Sequence, residues 1–105
     1  MDRIAQLEKF LEARPDDPFP RYALALEHRS KGDLPLATGT LQELVRRVPG
    51  YVPAYLMLGQ ILQQQDRQDD ARATLAAGQG QARAAGDQHA LSELTSALEA
   101  LGATR

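Results

Sequence analysis

Several short stretches of this chain carry residue types that could do chemistry. Gly78-Gln79-Gly80, within "ARATLAAGQGQARAAG" (Ala71 to Gly86), resembles the opening of a phosphate-cradling loop, where glycine backbone N–H groups approach a phosphate. A dinucleotide fingerprint needs a third glycine, where Arg83 stands, and must follow a strand, whereas a helical pattern precedes this stretch. A P-loop ends in Gly-Lys-Ser/Thr, and no lysine follows here. Nucleotide binding is not expected, and the sequence calls for no cofactor. Asp16-Asp17 and Asp69-Asp70 are adjacent carboxylates, but both pairs precede helices, where anions cap free N–H groups and favour the positive end of the dipole. His28 and His89 lie on different helices, neither with a second ligand at metal-binding spacing, so no metal site is expected. Arg46-Arg47 ends a helix, where cations suit the dipole. Cysteine is absent, which excludes disulfides and thiolate sites. The sequence holds no catalytic constellation, and its expected class is not an enzyme.

The elements that must position these residues are helical. Ala and Leu dominate the 105 residues, and both lose little on entering a helix. A net charge of −2 gives no basic field for nucleic acid or an anionic membrane. The opening "MDRIAQLEKFLEARP" interleaves charge with apolar residues, unlike a secretory signal, and no run approaches the roughly 20 apolar residues of a membrane span. The expectation is one cytoplasmic domain over residues 1–105, without membrane or nucleic-acid contact. Asp2 caps a first helix with the stripe Ile4, Leu7, Phe10, Leu11, and "RPDDPFP" stops it. A second helix runs from about Pro18 to Lys31, with Gly32 ending it and Asp33 capping the next. A third spans Leu34 to Val48, and a fourth Tyr51 to Gln65. A fifth starts near Gln68 and ends at Gly86, and a sixth carries the stripe Leu91, Leu94, Leu98, Leu101. No strand is expected, and the short connections predict antiparallel neighbours.

Self-comparison reveals a repeat. A shift of 34 residues lays Ala37 to Leu41 ("ATGTL") on Ala71 to Leu75 ("ARATL"), Leu24 on Leu58, and Ala25 on Gly59. The same shift relates Leu7 to Leu41 and Pro15 to Pro49. Two helices per 34 residues is the mark of stacked helical hairpins, each too small to bury its apolar face alone. Here the chain resembles the tetratricopeptide repeat family. "YLMLG" (Tyr55 to Gly59), Leu62, Ala71, Leu75 and Gly78 carry the motif over residues 52–85. Residues 18–51 match at Leu24, Ala25, Ala37, Leu41, Leu44 and Pro49, but Arg21 stands where a bulky residue belongs and His28 where an aromatic does. Tyr22, one place late, is the candidate for the missing bulk. The stretches "DPFPRYALAL" and "DQHA" are also similar to a group of short bacterial proteins of this kind. The resemblance implies an all-α fold: antiparallel hairpins stacked as a short right-handed superhelix of about two and a half repeats. Residues 2–14 would be a half-repeat, 18–51 and 52–85 two repeats, and 87–102 a capping helix.

The resemblance further implies a protein–protein interaction module that binds a partner's peptide or helix on its concave side, as a scaffold or adaptor. The first helix of each hairpin lines that side. The candidate groove residues are Phe19, Tyr22, Leu26 and Arg29 from one hairpin, and Leu56, Met57, Gln60, Gln63 and Gln64 from the other. Aromatic, Met and amide side chains suit a peptide, as apolar anchors and backbone partners. The alternative is that Leu26, Leu56 and Met57 are core, or lie under the last helix. Relatives that clamp a C-terminal carboxylate place Lys and Asn at positions held here by Tyr22, Leu26, Leu56 and Gln60, so that clamp is not expected. A second functional reading is self-association into a homodimer or larger assembly through an uncovered first-helix stripe.

Overall fold

Local chemistry starts and stops each helix. The computed structural model describes residues 2–103 and contains α1 (Arg3–Ala13), α2 (Pro18–Ser30), α3 (Leu34–Arg47), α4 (Pro53–Gln64), α5 (Gln68–Ala85) and α6 (Gln88–Ala103). Among the described residues no strand is present. Aspartate carboxylates cap four starts: Asp2 accepts from the Ala5 N–H, Asp17 from Phe19, Asp33 from Leu36 and Asp87 from Ala90. Three turns use one left-handed residue each, Gly32 (φ +80°), Asp66 (φ +59°) and Gly86 (φ +69°). The same bond closes all three: Asp33 N–H to the His28 carbonyl, Arg67 to Leu62, and Asp87 to Ala82, each at 2.9 Å. Four boundaries differ from the expected ones. Lys31, Val48 and Gln65 are cap residues rather than helical ones. α4 starts at Pro53 because Tyr51 and Val52 form a lead-in turn, their carbonyls accepting from Ala54 and Tyr55. No helix of the described residues is long and apolar enough to cross a membrane.

The helices fall into two compact units, one ending at Val48 and the other beginning at Pro49. In the first, α1 to α3 bury Leu7, Ala23, Leu24, Ala25, Ala37, Leu41 and Leu44, and Ile4 and Leu11 pack against the Leu7 cluster. So most of the α1 stripe is covered by its own unit. Arg21 is buried and its guanidinium donates to the Pro15 carbonyl. In the second unit, the Tyr55 hydroxyl donates to the Pro49 carbonyl at 2.6 Å. Arg21 and Tyr55 are 34 residues apart, as are Pro15 and Pro49, so the two units make an equivalent bond with different chemistry. Arg21 itself therefore fills the position for which Tyr22 was the candidate, and Tyr22 is only half-buried. His28 is buried, at the place where the second unit has the buried Leu62.

A charge cluster surrounds the α1–α2 turn. Glu43 accepts from Arg46 Nε at 2.9 Å and from Arg47 Nε at 2.6 Å, and Arg47 Nη1 reaches Asp16 at 3.0 Å. Asp16 is therefore a long-range clip onto the end of α3 rather than a helix cap. Hydrogen bonds from Arg46 and then Arg47 hold the Glu43 carboxyl down to about 2. Burial, and next the nearby Arg47 charge, pull the Arg21 pKa down, against the opposing pull of Glu43 and Asp16.

In the second unit, two glycines set the spacing of α4 and α5. A Cβ on Gly59 would lie 2.5 Å from Leu75 Cδ2, and one on Gly78 would lie 2.6 Å from Tyr55 Cβ and 3.0 Å from Leu94 Cδ2. Each helix thus receives a large side chain of the other into a glycine notch, and α6 closes over the second notch through Leu94. Gly80, on the same helix, is exposed, with nothing within 4 Å of its Cβ position.

Two outcomes follow from this packing. Gly80→Ala should raise stability by about 1 kcal/mol, the helix-propensity gain, whereas Gly78→Leu should lower it by more than the roughly 1–3 kcal/mol of ordinary overpacking. Thermal melts in the reverse order would refute the assigned notch. Glu43 binds its proton less readily in the folded chain than its ordinary 4.5, so its contribution is complete above pH 4.5 and is lost as pH falls towards 2. The stability gap between wild type and Glu43→Gln should therefore shrink across that window in denaturant titrations, and a gap independent of pH would contradict it.

Candidate partner-binding face

α4 buries nearly all of its circumference: Ala54, Tyr55, Met57, Leu58, Gly59, Ile61 and Leu62 are all buried. What remains is one stripe, Leu56 (half-buried), Gln60 (exposed), Gln63 (half-buried) and Gln64 (exposed), spaced as one helix face. Met57, expected on this face, is only 4% exposed and belongs to the core, because it lies a full 100° around the helix from Leu56.

α6 supplies the opposite wall. Its Leu94 and Leu101 are buried and Leu91 and Leu98 half-buried, so the neighbouring face of His89, Ser92, Glu93, Ser96 and Ala97 is turned towards α4. Together with Leu56 and Gln60 these residues line an open cleft of about 410 Å³. α6 is held against α5 by Leu94 over Gly78 and by a 3.0 Å hydrogen bond from Gln79 Nε2 to Thr95 Oγ1. His89 Nε2 lies 3.3 Å from Glu93 Oε1 at the rim. The last helix is therefore not a lid over Leu56 and Gln60 but the second side of their cleft.

The α6 contribution was missed in the sequence. Its signal was present, since Ser92 and Ser96 are four apart and adjoin the leucine stripe. Reading the helix as a solvating cap left that side unassigned. His89 lines the cleft while remaining exposed, and Asp87 makes the helix cap.

In the first unit, Tyr22, Leu26 and Arg29 share one face of α2. Tyr22 and Arg29 are half-buried and Leu26 is 44% exposed. The 34-residue shift places these three on Leu56, Gln60 and Gln63, and the burial pattern is the same at every pair. Phe19 is 60% exposed and lines a different cleft, beside Phe10 of α1. Among the described residues no group of three or more His, Cys, Asp or Glu side chains could hold a metal ion.

The α4–α6 cleft is of mixed polarity. An apolar patch from Leu56 and Ala97 sits beside an amide, two hydroxyls and a His–Glu pair, which offer both donors and acceptors. Residues 28–98 match the tetratricopeptide repeat family model. A tetratricopeptide repeat domain protein of Salinibacter ruber is 44% identical in its solution structure, with TM-score 0.78 over 83% of this chain and 88% of that one. Its crystal structure is 42% identical, with TM-score 0.80 over 85% and 100%. This chain belongs to the tetratricopeptide repeat family. Its all-helical fold is also that of the TPR2B domain of yeast Sti1, solved in complex with pHsp70, with 15% identity and TM-score 0.89 over 97% of this chain and 82% of that one. No curated protein matches the sequence.

The side chains of α4 sort by face, and truncation should separate them. Met57→Ala should cost about 2–5 kcal/mol as a buried cavity, and Gln60→Ala less than about 0.5 kcal/mol as an exposed change. Urea denaturation midpoints that move equally would contradict this assignment of faces.

Proposed function

We propose that this chain is a protein-interaction module that binds a peptide segment of a partner protein in the α4–α6 cleft. The observation that carries the reading is the composition of that cleft, an apolar patch bordered by Gln60, Ser92 and Ser96. Amides and hydroxyls satisfy the N–H and C=O groups of an extended backbone, while Leu56 and Ala97 receive an apolar side chain. Family membership supports a binding role, as does the occurrence of a protein partner on a domain of the same fold, the Sti1 domain. By register, Tyr22, Leu26 and Arg29 of α2 are the equivalent face of the preceding repeat, and we read residues 18–51 and 52–85 as those two repeats, with 2–14 as a half-repeat and 87–102 as a cap. Catalysis is not part of this proposal, and neither a cofactor nor nucleic acid is required by it.

Selection of a displayed random-peptide library on the immobilised protein tests the assignment. Peptides enriched on wild type should bind the Gln60→Ala/Ser92→Ala variant about tenfold more weakly, the effect of losing one or two hydrogen bonds of roughly 0.5–1.5 kcal/mol each. Both positions are exposed, so the fold is expected to persist. Equal binding to both proteins would remove the cleft as the site.

A further inference from the structure

α1 stands, by the 34-residue register, where α3 and α5 stand in their own hairpins. Phe10 then falls on Leu44 and Gly78. Those two positions are buried, whereas Phe10 is 61% exposed. Phe19, in the first turn of α2, is 60% exposed. The two rings do not stand singly: with Ala13, Arg14, Asp17 and Pro20 they line one open cleft of about 430 Å³. A lone exposed phenylalanine is ordinary, but two bordering one cleft mark a surface with a use. The same cleft carries one charge of each sign, on Arg14 and on Asp17, three residues apart.

We propose that this cleft is a self-association surface, occupied by the same cleft of a second copy of the chain across a two-fold axis. A two-fold interface must be complementary to itself: if one residue meets another across it, the reverse contact also forms. The Phe10–Phe19 cleft satisfies that condition. Apposition of two copies sets each Arg14 against the other copy's Asp17, giving two equivalent opposite-charge contacts, and brings the four rings into one apolar centre. A partner of a single charge sign would satisfy Arg14 or Asp17 and repel the other. The size of the patch limits its strength. Four phenylalanines at roughly 150–250 Å² each bury at most about 1,000 Å², below the span of stable interfaces. The dimer is therefore weak and reversible. This inference concerns the α1–α2 edge and stands independently of the α4–α6 cleft, whose Gln60 and Ser92 take no part in it.

Sedimentation velocity from about 10 μM to 1 mM, the range in which weak association is read, tests it. Wild type should gain mass with concentration, and Phe10→Ser should raise the dissociation constant tenfold or more. Arg14→Asp alone and Asp17→Lys alone should each be monomeric, because each places like charges at both contacts. An equimolar mixture of those two variants should dimerise again, since the mixed pair restores opposite charges at both contacts. Unfolded chains could not give that recovery, and thermal melts of each variant check the fold directly. A wild type that stays monomeric throughout, a dimer indifferent to Phe10→Ser, or a mixture without recovery would overturn the proposal.

Discussion

The second unit is organised by two reciprocal notches, Gly59 receiving Leu75 and Gly78 receiving Tyr55. Close approach of α4 and α5 is possible only because neither position carries a Cβ, and that approach fixes much else. It holds Tyr55 where its hydroxyl reaches the Pro49 carbonyl, tying the lead-in turn to the helix it precedes. It lets Leu94 settle over Gly78, which seats α6. Once α6 is seated by its leucines, its polar face adjoins the uncovered stripe of α4, and the cleft exists. The cleft is thus a consequence of glycine placement, and one of the two glycines stands on α5, which contributes nothing to the cleft wall.

The first unit reaches the same hairpin with different volumes. Ala25 and Leu44 stand where Gly59 and Gly78 would be, and Arg21 stands in place of Tyr55. An arginine is slimmer than a phenol ring along its stem and still carries a donor to its tip, so the bond to the proline carbonyl survives the exchange. A buried guanidinium must be held by partners or it destabilises the fold. The Pro15 carbonyl accepts from it, and the carboxylates of Glu43 and Asp16 offset the unfavourable field of Arg47. The acid-sensitive cluster around Glu43 is therefore linked to the substitution of an arginine for an aromatic. No counterpart exists in the second unit, where Ala77 and Gly50 occupy the equivalent positions of Glu43 and Asp16.

The sequence by itself determined the helices, their caps and their repeat. These depend on short-range chemistry: an aspartate before an N–H, a glycine with positive φ, an apolar residue every third or fourth place. It also marked Gly78 as a packed position of the repeat, and the structure left Gly80 open on the same helix. Only the tertiary structure decided which side chains are available to a partner. Leu56 and Met57 are neighbours in the chain with similar chemistry, yet one lines the cleft and the other is core. Arg21 looked like a mismatch to the repeat until its reach to Pro15 was fixed in space. The contribution of α6 and the pairing of Phe10 with Phe19 belong to the same class. Each depends on how one helix is rotated against another, and that angle is set by the sum of many contacts rather than by any local pattern.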